Sequence, residues 1–416
     1  MVRVHQVSFF HLLVIMETKS FLPYSPKECF KTRFALLWMN LSSEPLVAIY
    51  TLIPFILRKT SELSVYQLAL YTALNPVLAV FSFYWGHRLC RSKENLVKNL
   101  MTAWIFSRLP FVIIPFLNNF WAILTCSAFY HLFNRASTPA LMEILKRNLP
   151  SQTRNQIFSR YYFYSVLEGI IIGFFILDVL KINLNNWKII FSLCSLMSLT
   201  SLIWQKRIEI EPSSYTLSKQ DKTPLKNCWQ LLKKNHHFAK FQWGFMFGGL
   251  GLMISAPARY IFSADIPTVG LEDMTLARCL FVGLGLAISS FLWQKALDSY
   301  SIHKLTAWVL VGFGIYPICF AFTSWHIYFF YLAHIIYGVA QAGSHLIWHL
   351  SGPIFAGENQ NSALFTTTNV LMVGLRGLVG PFLGGLLCHN MGPEIVLYIG
   401  GAVCLLGSWY MWRKDV

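Results

Sequence analysis

The chain has 416 residues, of which 55% are hydrophobic and only 12% are charged, and its mean hydropathy is +0.49. A soluble globular protein is roughly one quarter charged, so this composition excludes an ordinary soluble domain and predicts a protein embedded in a lipid bilayer. The formal net charge of +16 raises the alternative of a nucleic-acid partner. A nucleic-acid site needs a basic face with aromatic or loop residues that contact the bases, and the sequence shows no such face beyond the basic residues of its loops.

The N-terminal stretch "VSFFHLLVIM" at residues 7–16 has about the length of a signal-peptide apolar region. No small-residue cleavage site follows it, so we expect residues 1–33 to form a cytoplasmic N-terminal segment, with Met16 as an alternative start. The nine cysteines contain no CxxC pair, which argues against a disulfide framework or a zinc site.

Twelve apolar runs follow, each of about the length that a helix needs to cross a hydrocarbon core roughly 30 Å thick. They show no alternating period, which favours helices over barrel strands. The sequence therefore predicts an all-α polytopic membrane protein with twelve transmembrane helices. These lie at about residues 34–57, 66–86, 97–117, 119–145, 157–178, 188–204, 242–262, 275–295, 305–323, 327–350, 364–388 and 394–412.

A polar segment at residues 205–240 separates six of these runs from the other six. We expect it to be a cytoplasmic linker between an N-terminal six-helix bundle at 34–204 and a C-terminal six-helix bundle at 241–412, with residues 413–416 as a cytoplasmic tail. Within the linker, "LKNCWQLLKKNHHF" separates apolar from basic residues and predicts a helix on the inner membrane surface; an ordinary basic loop is the alternative.

The distribution of basic residues predicts the orientation. If the N-terminus is inside, 25 Lys and Arg residues fall on the cytoplasmic side, 3 lie within spans and 6 fall on the opposite side. This asymmetry predicts a multi-pass protein of the cell (inner or plasma) membrane with both termini cytoplasmic. The six residues assigned to the opposite loops are Arg58, Lys59, Lys181, Lys188, Arg259 and Arg278.

Two short phrases recur at one offset of 208 residues. "SFYWGHRLC" at 82–90 is related to "SFLWQKALD" at 290–298, and "EGIIIGF" at 168–174 is related to "RGLVGPF" at 376–382. Each pair occupies matching spans of the two halves. The sequence therefore predicts two parallel six-helix repeats.

At this point the chain resembles the major facilitator superfamily of secondary transporters, over about residues 33 to 412. The six-plus-six layout, the loop that begins with Gly86 and includes Arg91, and the "GLRGLVGPFLGG" run carry the resemblance. It implies that Gly86, Arg91 and, in the second half, Asp298 belong to a gating latch. Cys90 stands where the family has Asp, so this latch motif is incomplete.

Span 1 contains "NLSSEP", in which Asn40 and Glu44 are candidates for substrate binding or coupling, since a buried carboxylate can take up a proton. The alternative is a Glu satisfied by a neighbouring Arg or hydroxyl. Glu168 and Arg376 occupy matching positions of the two repeats and are predicted to face each other or the substrate; a static internal ion pair is the alternative.

Span 10 places Gln341, His345 and Trp348 on one helical face, at spacings of i, i+4 and i+7. The resemblance implies that spans 1, 4, 7 and 10 line the cavity, so this face and Arg135 in span 4 are predicted substrate contacts. His345 either donates a hydrogen bond or carries a proton, or else is a packed histidine. With His349 it offers only two metal ligands, so we expect no metal and no cofactor.

Arg108 lies within span 3, at a scaffold position in the family. If it turns inward, Arg108, Arg135 and Arg376 outnumber Glu44 and Glu168, and the cavity favours an organic anion.

The glycine-rich run in span 11 is predicted to mediate close helix packing, with a bend at its proline. The residues concerned are Gly377, Gly380, Pro381, Gly384 and Gly385.

These features predict a secondary active transporter that moves a small solute, such as an organic anion, by alternating access as an ion- or proton-coupled symporter or antiporter. We expect a monomer whose partners are the solute and the bilayer. No Walker-type motif is present, which argues against ATP hydrolysis by this chain. The alternatives are a membrane-embedded enzyme, which we do not expect, and a non-transporting sensor on the same fold.

Overall fold

The computed structural model describes residues 26–61, 63–91, 96–210, 224–357 and 362–413, and these residues contain no β-strand. The proposed N-terminal start therefore lies outside the described residues. The helices are α1 (Pro26–Ser61), α2 (Val65–Arg91), α3 (Leu96–Val112), α4 (Phe120–Asn148), α5 (Ser151–Ile182), α6 (Trp187–Leu199), α7 (Leu202–Gln205), α8 (Pro224–Lys234), α9 (His236–Asp265), α10 (Leu271–Thr275), α11 (Val282–Ser299), α12 (Ile302–Ala321), α13 (Ile327–Ala356), α14 (Ser362–Gly377), α15 (Gly380–Met391) and α16 (Pro393–Arg413).

Eight helical segments of the described chain are long and apolar enough to cross a bilayer, and Val65–Phe81 is a shorter apolar helix. The prediction of an all-helical membrane protein is therefore confirmed, whereas the count of twelve spans stays a prediction. Three long helices, α4, α5 and α13, fall outside this group and have 29, 32 and 30 residues. In α4 and α13 the apolar sequence is interrupted by polar side chains that line a central cavity.

Three boundaries differ from the sequence-based expectation. Helix α1 already begins at Pro26, so part of the predicted N-terminal segment is helical. The predicted surface helix is split, because Asn235 accepts a hydrogen bond from the Phe238 backbone N–H and caps the start of α9. The eleventh predicted span is also broken, since α14 ends at Gly377 and α15 begins at Gly380 with Pro381 in its first turn.

The same pattern of helix packing occurs in the first and second parts of the chain. In the first, α1 packs on α5 and α6, α4 packs on α2 and α3, and α3 packs on α6. In the second, α9 packs on α14, α15 and α16, α13 packs on α11 and α12, and α12 packs on α16. Between the two parts, α2 contacts α14 and α15, and α5 contacts α11. The largest apolar cluster includes Ile49, Phe111 and Phe191 from the first part and Phe320 and Phe330 from the second.

The linker helix α8 lies against α14. Cys228 is 2% exposed and packs with Leu364 and Leu371, while Thr368 donates a hydrogen bond to the Cys228 sulfur at 3.2 Å. On its other face Trp229 is 57% exposed. The helix is therefore attached to the second part of the chain by one face and leaves the other uncovered.

Candidate functional site

A cavity of about 600 Å³ lies between α1, α2 and α4 on one side and α9, α12, α13 and α14 on the other. This volume is within the range of small-molecule binding sites. Four arginines line the cavity, and none of the described residues that line it is an Asp or a Glu. The arginines are Arg135, Arg259, Arg278 and Arg376.

Arg135 lies in the second half of α4 and contacts helices α2 and α13. Its Nε donates a hydrogen bond to Asn75 Oδ1 of α2 at 3.0 Å, and its Cζ lies 5.3 Å from the centre of the Trp348 ring on α13. An arginine can hold both contacts because its guanidinium plane donates at the edge and stacks with its face. The remaining N–H groups are thus left for a ligand in the cavity.

Arg376 stands in the last turn of α14, just before the break that precedes α15. It donates a hydrogen bond to the Phe245 carbonyl oxygen, and its Cζ lies 5.4 Å from the Phe245 ring. A Cβ atom at Gly249 would lie 1.9 Å from Arg376 Nη1, so glycine at this position of α9 makes room for the guanidinium. The Arg376 Nε is buried and has no hydrogen-bond partner.

Arg259 near the end of α9 and Arg278 in the π-helical turn between α10 and α11 (Leu276–Phe281) form a second basic group. Arg259 Nη1 donates to Tyr316 Oη at 3.1 Å, and Arg278 Nη2 donates to Tyr260 Oη at 3.0 Å. Arg278 Nε is buried without a partner. The sequence-based count assigned both arginines to the loops opposite the N-terminus, whereas the structure shows both lining the cavity, Arg259 within α9 and Arg278 in the π-helical turn.

The polar face of α13 contributes Gln341, His345 and Trp348 to the cavity wall, together with Ser344 and His349. Gln341 Nε2 and His345 Nε2 are 2.5 Å apart, and the rings of His345 and His349 stack with centroids 5.6 Å apart. His349 Nδ1 donates to the His345 carbonyl oxygen at 2.7 Å. This face therefore places hydrogen-bonding side chains beside Arg135.

Aromatic residues form much of the remaining wall. Tyr50 Oη lies 2.8 Å from His131 Nε2, and its ring is 5.3 Å from that of Tyr130. Tyr260 and Tyr337 line the opposite wall. Rings with polar edges suit a solute that has both an apolar body and polar groups.

Glu44 and Glu168 lie beside each other, outside the cavity lining. A Cβ atom at Gly169 would be 3.0 Å from Glu44 Oε1, so α5 approaches this carboxylate closely, and the charges of Glu44 and Glu168 interact. Glu168 Oε2 is buried without a hydrogen-bond partner, and neither carboxylate has an ion-pair partner in the described chain. The structure therefore places Glu168 beside Glu44 and not beside Arg376, which corrects the expected charge pair across the cavity.

Arg108 supports the helices behind the cavity and does not line it. It is 2% exposed, its Nε donates to Ser198 Oγ of α6 at 2.9 Å, and its Cζ lies 3.3 Å from the Trp104 ring centre. The alternative that it turns inward was thus wrong. Arg259 and Arg278, and not Arg108, join Arg135 and Arg376 in making the cavity basic.

The other predicted residues are spread over the fold. Asn40 lies one turn before Glu44 on α1, outside the cavity lining. Gly86 and Arg91 fall in the last turns of α2, where the structure describes no side chains, and Asp298 is exposed near the end of α11. The predicted latch contact thus falls outside the described residues.

The predicted packing glycines lie where helices approach closely. A Cβ atom at Gly377 would lie 2.1 Å from Pro76 Cβ of α2, and one at Gly384 would lie 2.1 Å from the Ile254 carbonyl oxygen of α9. Gly380 faces Met253 and Gly385 faces Ala69 in the same way. Pro381 is buried next to them.

Polar contacts join the two parts of the chain at both ends of the cavity. At one end, Arg58 Nη2 lies 3.6 Å from Asp265 Oδ1, and Lys181 Nζ lies 3.0 Å from Glu272 Oε1. At the other, the Ser362 hydroxyl donates to Glu143 Oε2 at 2.8 Å. The first two pairs are partly exposed, so each adds little stability and can open readily, whereas Glu143 is buried.

Comparison with known proteins agrees with this arrangement. The family model of the Major Facilitator Superfamily matches residues 98–374. No curated protein matches the sequence.

Solved structures match over nearly the whole chain. A mutant of the nucleoside transporter NupG is 14% identical, with a TM-score of 0.64, and the match covers 92% of this chain and 100% of that one. A POT family transporter in complex with 5-aminolevulinic acid is 12% identical, with a TM-score of 0.69 and 95% and 97% coverage. A POT family transporter in complex with a thioalcohol-conjugated peptide is 12% identical, with a TM-score of 0.66 and 93% and 96% coverage. At these identities the likeness concerns the fold alone.

Proposed function

Because this chain belongs to the Major Facilitator Superfamily, we propose that it is a secondary active transporter that carries a small organic anion through its central cavity by alternating access. The observation that carries the anion part of the proposal is the set of four arginines around a cavity whose described lining contains no carboxylate. Buried charges are costly without partners, so an anionic solute is the chemistry that this cavity stabilises.

We further propose that twelve helices cross the membrane as two six-helix bundles with both termini cytoplasmic. The recurring packing pattern supports this, since the contacts of α1 with α5 and α6, of α4 with α2 and α3, and of α3 with α6 each have a counterpart among α9 to α16. A repeat also accounts for the contacts between the bundles. The second helix of the first bundle, α2, contacts α14 and α15 of the second bundle, and the equivalent helix α11 of the second bundle contacts α5 of the first.

For coupling, we propose a proton held between Glu44 and Glu168. Two adjacent carboxylates in a low-dielectric region repel each other strongly, and a shared proton removes that repulsion. The pair lies at the junction of α1 and α5. Cys279 of the π-helical turn packs against Gly173, one turn further along α5, so this junction is also a contact between the two bundles. Protonation there is well placed to influence how the bundles pack.

The proposal is tested by uptake into proteoliposomes of labelled organic anions and of neutral and cationic solutes of matched size. We expect uptake of anions only, and we expect Arg376→Gln to lower it by at least about tenfold, since a charge-assisted hydrogen bond contributes about 1.5–3 kcal/mol. Arg413→Gln, at the exposed end of α16, serves as the matched control. Uptake restricted to neutral or cationic solutes would refute the anion assignment.

A further inference from the structure

The cavity contains its arginines as two pairs. Arg135 and Arg376 are near enough for their charges to interact, and they come from the two different parts of the chain. Arg259 and Arg278 form another interacting pair. Like charges at such distances repel, and no carboxylate among the described lining residues separates them.

The two pairs lie at different depths along α13. Trp348 stacks near Arg135, with 5.3 Å between the ring centre and Cζ, and Tyr337 lies 6.0 Å from the Cζ of Arg278. Trp348 and Tyr337 belong to the same helix and are three turns apart, which corresponds to roughly 16 Å along the helix axis. A single small acid group therefore cannot contact both pairs at once.

Each pair presents a buried guanidinium nitrogen without a partner. These atoms are Nε of Arg376 and Nε of Arg278. The tyrosines that hold the second pair occupy only part of its donors, because Arg259 and Arg278 each use one terminal nitrogen for a phenol oxygen. Both pairs thus retain donors for an acidic group, and an arginine fork binds carboxylate or phosphate oxygens well.

We propose that the natural solute is an extended organic dianion, with one acidic group bound between Arg135 and Arg376 and the other between Arg259 and Arg278. This inference rests on the proposed function of the cavity as the solute site. The first acidic group joins the two bundles by cancelling repulsion between them, and the second anchors the solute to the C-terminal part. The tyrosine-lined wall between the two groups contacts the solute body.

The test is calorimetric titration of the purified full-length protein with suberate, its monomethyl ester and its dimethyl ester, which have nearly equal length and two, one and no charges. Succinate serves as a short dianion. We expect suberate to bind at least about tenfold more tightly than the monomethyl ester, because only the diacid satisfies both arginine pairs. Equal affinity for the diacid and the monoester, or tighter binding of succinate than of suberate, would overturn the proposal.

Variants locate the second acidic group. Arg278→Gln is expected to weaken suberate binding about tenfold and to leave monoester binding within about twofold. Arg278→Lys keeps the charge and covers the case in which the Gln variant does not fold, and it should retain most of the preference for the diacid. Equal loss of both ligands in Arg278→Gln would show that the second pair is structural.

Binding and transport are separable outcomes. If suberate is preferred in binding but no organic anion enters proteoliposomes, the transport proposal fails and the dianion site stands. If a monoanion is transported and Arg278→Gln leaves its uptake and the binding series unchanged, the dianion inference fails and the transport proposal stands.

Discussion

At the scale of single residues, two glycines make room for charged side chains, one in the cavity wall and one beside it. Gly249 of α9 lies directly against the guanidinium of Arg376, and Gly169 of α5 lies against the carboxylate of Glu44. In both cases the neighbour is the flexible end of a long side chain. A methyl group added at either glycine would therefore displace the functional group more than it would strain the backbone.

Gly249→Ala should thus weaken anion binding without unfolding the protein. The new Cβ would overlap Arg376 Nη1, and the guanidinium would have to leave the Phe245 carbonyl and its place in the cavity. We expect about a tenfold loss of anion affinity, with the unfolding free energy lowered by about 1–3 kcal/mol, which leaves the protein folded. Calorimetric titration and thermal unfolding measure the two effects. Gly270→Ala, where the nearest atom lies 3.5 Å from the added carbon, is the control and should behave as wild type.

Glu44→Gln should separate solute exchange from accumulation. Gln has nearly the same shape as Glu but carries no exchangeable charge, so a proton can no longer be held for transport at this position. With one proton per solute, a gradient of one pH unit drives up to about tenfold accumulation. We expect the variant to exchange solute across proteoliposomes at near the wild-type rate and to lose this accumulation. Wild-type accumulation by the variant would remove Glu44 from the coupling mechanism.

Residue spacing predicted part of the site and missed the rest for physical reasons. The one-face spacing of Gln341, His345 and Trp348 located the polar wall of α13. Arg259 and Arg278 were missed because an arginine near the end of an apolar run has the same sequence pattern as a flanking loop charge. Glu168 was paired with Arg376 because the two residues occupy matching positions of the repeats. Matching positions have similar surroundings within their own bundles, but they do not have to contact each other.

At the scale of elements, hydropathy identifies most of the long helices, among them the cavity-lining helices α1, α9, α12 and α14. Helices α4 and α13 carry polar residues that line the cavity and fall outside that group. The break between α14 and α15 was expected as a bend, since Pro381 removes a backbone donor. The sequence pattern does not predict that the break comes directly after Arg376 and Gly377.

The linker helix α8 provides a test at this scale, because it lies outside the membrane spans. Burial against α14 raises the pKa of the Cys228 thiol to about 11. Only the thiolate reacts with alkylating reagents, so at pH 8 the reactive fraction of Cys228 is on the order of one hundredth of that of an exposed cysteine. Its labelling rate should then rise about tenfold per pH unit towards its pKa.

The labelling rate is measured on a variant in which the other cysteines are replaced. Gln230→Cys in a Cys228→Ser background provides an exposed control on the same helix. The control should label rapidly and level off near pH 8.5, the usual pKa of a thiol. Equal rates at both positions would mean that α8 does not stay attached to α14.

At the scale of the whole molecule, the two parts of the chain meet around the cavity. Contacts between the two parts of the chain lie at both ends of the cavity, and its arginines come from both parts. An anion bound between Arg135 and Arg376 would draw the two bundles together around it. Opening at one end then requires that the partly exposed pairs of Arg58 and Lys181 separate, or that the buried Ser362 to Glu143 contact breaks.

Distances between spin labels at the two ends test the central claim, alternating access around an anion site, most directly. One pair is placed at Lys59 and Thr268 and the other at Gln156 and Ser299, which are exposed positions on different parts of the chain. On addition of an organic anion that the protein binds, the account predicts that the distance grows at one end and shrinks at the other, and that Arg376→Gln abolishes this response. Distances that stay unchanged at both ends, or that change in the same direction, would contradict it.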